Sequence, residues 1–265
     1  MSTARQNPRL HTLRIDGRTL EYQRLHSAHP VAGQPPLVFL HEGLGCIAMW
    51  RDFPQRVADA TGCAVVVYSR YGHGKSAPLA QARRGDYLHD EALNALPEFL
   101  ARLELERPFL FGHSDGASIA LIHASAGHPV SGLIVEAPHV MVEDITLAGI
   151  AATVSAYANT DLPSRLGRHH HNADALFRGW SETWLDPAFR NWNIESGLRN
   201  IAAPILAIQG EGDEYATMAQ IERIAAAAAD VELLKLADCG HSPHRDQAET
   251  VIDAVRRFVA RCAAD

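Results

Sequence analysis

The sequence predicts an α/β protein: a mostly parallel, eight-stranded sheet flanked by helices. Short apolar runs recur along the chain, of the kind found in strands covered on both faces. Stretches with apolar residues at helical spacing lie between them. The alternation is regular enough to imply right-handed crossovers between parallel strands. At 265 residues the chain can bury one substantial core, so a single domain carrying an insertion is expected.

Leu13-Arg14-Ile15 and Leu20-Glu21-Tyr22 flank Asp16-Gly17, a turn dipeptide between alternating strands, and open the fold as a hairpin. Pro36 to Leu40 is the first short apolar run. Ala64 to Tyr68, Phe109 to Phe111, Leu133 to Val135, Ile205 to Ile208 and Val231 to Leu236 complete the strands. Trp50, Phe53, Val57 and Ala60 share a helical face that Gly62 ends. Leu93, Leu96, Leu100 and Leu103 form a second stripe, which Pro97 is expected to kink or split. An alanine-rich helix around Ile224 to Ala229 precedes the last strand. Val251, Ile252, Val255, Phe258, Val259 and Cys262 give a closing helix.

From about Val140 to Asn200 the alternation stops. The helical pieces Ile145 to Tyr157, Ala173 to Leu185 and Pro187 to Trp192 follow with no strand, and they hold Trp180, Trp184 and Trp192. Such an aromatic, all-helical insertion reads as a cap over a pocket. The expected division is a core of 1–139 and 200–265 with a cap of 140–199.

Composition is ordinary for a globular protein, with 47% hydrophobic and 21% charged residues. A net charge of −7 without a basic stripe argues against nucleic acid and membrane surfaces as partners. Arg83-Arg84-Gly85 reads as a solvated loop. Met1 to Leu10 lack the apolar core of a signal peptide, and no stretch approaches the roughly 20 apolar residues of a membrane span. Cys46, Cys63, Cys239 and Cys262 lie far apart without metal-ligand spacing, as reduced, packed thiols would. A cytoplasmic protein with no metal site is expected. A homodimer is compatible with the sequence.

The sharpest motif is Gly112-His113-Ser114-Asp115-Gly116, between the apolar run Phe109 to Phe111 and the helix-like stretch Ala117 to Ala126. A serine on a tight strand-to-helix turn presents its hydroxyl at a helix N-terminus, and the flanking glycines let the backbone pass closely. That hydroxyl is a weak nucleophile and needs a base and an orienting acid. Among fifteen histidines, His241 in Cys239-Gly240-His241 stands out by position, after the last strand and before the closing helix. His244 is the rival, better placed to start the helix or line the entrance. The loop after Ile208 offers Glu211, Asp213 and Glu214. Asp213 follows a glycine and can turn inward, while the other two read as solvent-facing. The oxyanion amides would be those of Asp115 and of Gly43, in His41-Glu42-Gly43-Leu44-Gly45, with Leu44 as the fallback.

Taken in order, these motifs resemble a capped serine hydrolase of the α/β-hydrolase superfamily. His41 to Gly45 is similar to its H-G-x-P-G oxyanion loop. Ser69-Arg70-Tyr71-Gly72-His73-Gly74-Lys75-Ser76 is similar to its D-x-x-G-x-G-x-S loop. Gly112 to Gly116 matches the nucleophile elbow, Gly210 to Asp213 the acid loop and Gly240-His241 the histidine loop. Two departures stand out: Glu42 replaces a glycine beside the oxyanion hole, and Ser69 replaces an aspartate, a change that reads as structural. For Glu42, a hydrogen bond to local backbone is favoured over tuning of substrate choice.

The resemblance implies a cofactor-free esterase acting on a small or medium carboxylic ester through an acyl-enzyme on Ser114. Glu42, Leu44, His113, Trp180 and Trp184 are the expected pocket residues. Carbon–carbon bond hydrolases of aromatic degradation use the same triad, so the motifs leave that reaction open. A non-catalytic small-molecule receptor on this fold is the reading of another class. Gly72 to Ser76 is not a P-loop, since Ser69 stands where the first glycine is required. His169-His170-His171 reads as a solvated segment rather than a metal site, because consecutive helical side chains diverge.

Overall fold

A computed structural model describes residues 9–263. Most of the polar stretch Met1 to Leu10 therefore lies outside the described residues. The sheet contains β1 (Leu10–Ile15), β2 (Arg18–Leu25), β3 (Leu37–Leu40), β4 (Val65–Tyr68), β5 (Phe109–His113), β6 (Gly132–Glu136), β7 (Ile205–Gly210) and β8 (Val231–Leu236). Their order is β1-β2-β4-β3-β5-β6-β7-β8. Strands β3 to β8 pair in parallel, and the β1–β2 hairpin joins β4 antiparallel. At the hairpin tip Asp16 and Gly17 both take positive φ, 46° and 79°, as a two-residue turn of matching twist requires.

The central strands are buried along their length because both faces are covered. Alternate residues feed two cores: Val38, Leu40, Val66 and Leu110 on one face, Leu37, Phe39, Val67 and Phe111 on the other. Helix α1 (Phe53–Thr61) ends at Gly62 in the left-handed conformation, φ 77°. Next come α2 (Tyr87–Asp90), a π turn (Glu91–Ala95) and α3 (Leu96–Arg102). Pro97 does not split this segment. It sits in the first turn of α3, where its missing N–H is not needed. The preceding π turn changes the helical phase, so Leu93 is 37% exposed while Leu96 and Leu100 are buried.

Helix α4 (Asp115–Ser125) follows β5, and four α-helices separate β6 from β7: α5 (Asp144–Asn159), α6 (Leu162–Gly167), α7 (Ala173–Leu185) and α8 (Glu195–Leu198), with a 3-10 turn (Pro187–Asn191) between the last two. The chain closes with α9 (Ala219–Ala227), α10 (Pro243–Asp246) and α11 (Ala248–Cys262). Helices α1 and α11 pack on one face of the sheet and α3, α4 and α9 on the other. No helix among the described residues is long and apolar enough to cross a membrane.

Two polar segments depart from expectation. His170 is buried rather than solvated: its Nδ1 accepts the Gly74 N–H at 2.9 Å, and its Nε2 donates to the Leu44 carbonyl at 3.0 Å. It joins the inserted helices to two core loops, and those bonds outweigh the polar character of the run. Arg84 is exposed beside Asp86, but Arg83 turns inward to His73 Nε2 at 3.0 Å and over the Tyr87 ring.

Ser69 has a structural role, through a neighbour. Glu21 on β2 is 5% exposed, and its Oε1 accepts from Ser69 Oγ at 2.6 Å and from the Lys75 N–H at 2.9 Å. The Glu21 N–H in turn donates to Ser76 Oγ at 3.0 Å. The loop after β4 is thus closed around a carboxylate supplied from the adjacent strand.

Candidate active site

Ser114 sits between β5 and α4 with φ 53° and ψ −116°, a strained backbone for a non-glycine residue. The turn is tight: a Cβ on Gly112 would clash with the backbone of Gly116 and Ala117, and one on Gly116 with the Leu40 carbonyl. Ser114 N–H donates to the Glu136 carbonyl at 2.9 Å, tying the turn to the end of β6. Ser114 Oγ then lies 3.0 Å from His241 Nε2.

His241 Nδ1 is 2.9 Å from both oxygens of Asp213. The same carboxylate accepts from Gln209 Nε2 at 2.6 Å and from the Tyr215 N–H at 2.8 Å, which fixes its orientation. Burial pulls the His241 pKa down. The hydrogen bond and charge of Asp213, with the charges of Glu214 and Glu42, outweigh that and leave it raised. Glu211 and Glu214 are exposed, although Glu214 Oε2 accepts the His241 N–H at 3.3 Å. The structure therefore brings Ser114, His241 and Asp213 into one hydrogen-bonded row.

His244 is not part of that row and does not line the same cavity. Its N–H and Nδ1 bond to Glu136 Oε1 at 2.6 and 2.9 Å, and the pair is buried. His113 turns its Nε2 to the His241 carbonyl at 2.7 Å, and burial keeps its pKa well below the ordinary value. It supports the histidine loop as a neutral ring.

In the loop after β3, Glu42 accepts the Leu44 N–H at 2.6 Å, the local backbone bond favoured from the sequence. That bond commits the fallback amide of Leu44. Burial raises the Glu42 pKa, with the Leu44 N–H opposing the rise. A Cβ on Gly43 would press on the Trp180 indole, which would have to move, and would come 3.3 Å from the Asp115 carboxylate. Asp115 opens α4, where first-turn amides have no intrahelical acceptor. Its side chain accepts from Tyr87 Oη at 2.8 Å, and Trp184 Nε1 donates to that Tyr87 oxygen at 2.8 Å.

A cavity of about 430 Å³ contains Ser114, His241, Gly43, Asp115, Glu42, Leu44 and His113. Ile150, Leu162, Leu166, Trp180 and Trp184 of the inserted helices also line it. A larger cavity, about 960 Å³, lies between α7 and residues 78–85, and its lining includes no member of the Ser–His–Asp row. Trp192 lines that second space, stacked on Phe189. Among the described residues no group of three or more His, Cys, Asp or Glu could hold a metal ion.

Several residues at the site carried no signal that singled them out. His139 lines the cavity 6.0 Å from the His241 ring, with its pKa lowered to about 4 by burial. Glu136 had a weak one, as a charge ending the apolar run Leu133 to Val135. Arg70 and Tyr87 had none.

A family model described as the alpha/beta hydrolase family matches residues 37–254. The chain belongs to the α/β-hydrolase family. Solved structures agree with this hydrolase fold at low identity. A proline iminopeptidase from Mycobacterium smegmatis is 18% identical, with a TM-score of 0.79 over 97% of this chain and 100% of that one. An esterase from Exiguobacterium antarcticum is 21% identical, with a TM-score of 0.72 over 93% and 97%. An enol-lactonase from Burkholderia xenovorans LB400 is 18% identical, with a TM-score of 0.71 over 94% and 100%. A search of curated proteins finds no match. In this α/β-hydrolase the serine turn, the acid loop and the histidine loop all leave the carboxyl edge of the sheet, where such folds place their sites.

Proposed function

We propose that this hydrolase is a serine esterase cleaving a small or medium carboxylic ester through an acyl-enzyme on Ser114. The observation that carries the reading is the row Ser114 Oγ–His241 Nε2–Asp213, at 3.0 and 2.9 Å, opening on a cavity of about 430 Å³. His241 takes the Ser114 proton as Oγ attacks the ester carbonyl, then gives it to the leaving alkoxide. The amides of Gly43 and Asp115 receive the oxyanion. Water, deprotonated by His241, releases the acid and restores the serine. The inserted helices act as a cap, with Trp180, Trp184 and Ile150 as the apolar walls of the acyl site. No cofactor enters this chemistry.

The test is hydrolysis of p-nitrophenyl esters, acetate through decanoate and benzoate, by wild type and Ser114→Ala. Turnover by the wild type, reduced on the order of 10⁴-fold or more in the variant, is the expected result. A folded wild type that hydrolyses none of them overturns the ester reading. Carbon–carbon cleavage of a vinylogous diketone, or ligand binding without turnover, would then take its place.

A further inference from the structure

Arg70 follows Ser69 in the loop after β4 and is 2% exposed. Its Nη2 donates to the carbonyl oxygens of Glu42 at 3.0 Å and of His41 at 3.3 Å, and lies 3.5 Å from Asp115 Oδ2. His41 Nδ1 donates to the same Glu42 carbonyl at 2.7 Å. The tautomer follows from the other ring nitrogen, since His41 Nε2 accepts the Arg70 N–H at 3.0 Å.

The Glu42 carbonyl and the Gly43 N–H belong to one peptide unit. Amide resonance couples the two ends, so donors on the oxygen draw charge along the unit and make its N–H a stronger donor. The opposite arm of the hole has a different problem. Asp115 supplies an amide there, yet its carboxylate is buried close to where an oxyanion would form. An uncompensated negative charge at that place would work against the transition state.

We propose that Arg70 is a positioning residue for the oxyanion hole. Its guanidinium holds and polarises the Glu42–Gly43 peptide while neutralising Asp115, so both amides meet the oxyanion with favourable charge behind them. This rests on the assignment of Gly43 and Asp115 in the esterase reading. A guanidinium that merely braced the loop would support ground-state and transition-state ligands alike. A polarising one favours the transition state.

The experiment compares wild type with the double variant Arg70→Met/Asp115→Asn, which removes the buried pair without stranding a charge. Turnover of p-nitrophenyl acetate is measured with binding of phenylboronic acid, which adds to a serine Oγ as a charged tetrahedral species, and of benzoate as a ground-state anion. The expected kcat falls about 10- to 100-fold with KM nearly unchanged, and boronate affinity falls by the same factor while benzoate binding holds. A folded double variant that keeps its boronate affinity, or loses benzoate binding equally, overturns the proposal. Should that variant not fold, Arg70→Lys decides on the same ligands: a loss confined to boronate and kcat supports the proposal, and equal losses or none overturn it. Boronate reports on Ser114 whatever the natural substrate. A wild type that binds boronate yet hydrolyses no ester therefore counts against the esterase reading alone. One that binds neither overturns both.

Discussion

Two histidine–carboxylate pairs stand three residues apart in this chain, and their Nδ1 bonds are the same length. His241 meets Asp213 at 2.9 Å and His244 meets Glu136 at 2.9 Å. What separates them is the other ring nitrogen and its surroundings. His241 presents Nε2 to a serine at the edge of a cavity, while His244 packs its ring against Trp50 and Phe53. Glu136 is the more revealing partner: its carbonyl takes the Ser114 N–H and its carboxylate takes both donors of His244. One residue at the end of β6 thus fastens the turn carrying Ser114 to the loop carrying His241 and His244. On the proposed mechanism, what the free nitrogen faces makes one of these histidines a base and the other a brace.

That contrast can be broken by substitution. Asp213→Asn should lower kcat by about 10⁴-fold with little change in unfolding free energy, because the wrong imidazole tautomer is held. Glu136→Ala should do the reverse. Leaving the His244 donors buried and unpaired costs about 3 kcal/mol in urea unfolding, with the smaller effect on turnover. Similar kcat losses in the two variants would erase the distinction between base and brace.

Another buried histidine sharpens it, since His170 bonds only to backbone, at Gly74 and Leu44. Burial pushes its pKa down to about 4, from the 6.5 it regains on unfolding. Between those values this histidine binds more proton in the unfolded chain, so its contribution to stability falls as pH drops from about 6.5 to about 4. Glutamine can accept from Gly74 and donate to Leu44 without titrating. Thermal melts of His170→Gln should therefore lose less stability than wild type across that window, and parallel curves would refute it. The smallest effect belongs to Glu214, whose exposed charge helps raise the His241 pKa. The proposed base must be neutral to act, so Glu214→Gln should move the acid limb of kcat/KM to lower pH. An unmoved or raised limb would contradict the assignment.

The parts legible from the sequence are those fixed by short-range rules. Glycines at 112 and 116 are forced by backbone contact, and they mark the serine turn wherever it occurs. The helix expected over Ala173 to Leu185 has those same bounds in the structure, since it is amphipathic and its N-cap, Asn172, accepts the Ala175 N–H. Asp213 and His241 could be placed because strand ends bring their loops to one edge. Other features depend on partners distant in the chain. Arg70 gains its environment from His41, Glu42 and Asp115 together, and no window of sequence contains all four. His170 looked solvated because its partners, Gly74 and Leu44, lie about a hundred residues earlier. Leu93 left the buried stripe when a π turn changed the phase, which periodicity at 3.6 residues cannot register.

Glu21 carries one further consequence. Compared position by position with the D-x-x-G-x-G-x-S loop of its family, this chain scores a lost acid at Ser69. In space the acid is present, lent by β2 and grasped by Ser69 and Lys75. The outer hairpin is then no detachable trim. Shortening the chain from its amino end past β2 would withdraw the carboxylate around which the loop bearing Arg70 is wound, and damage would surface far from the cut.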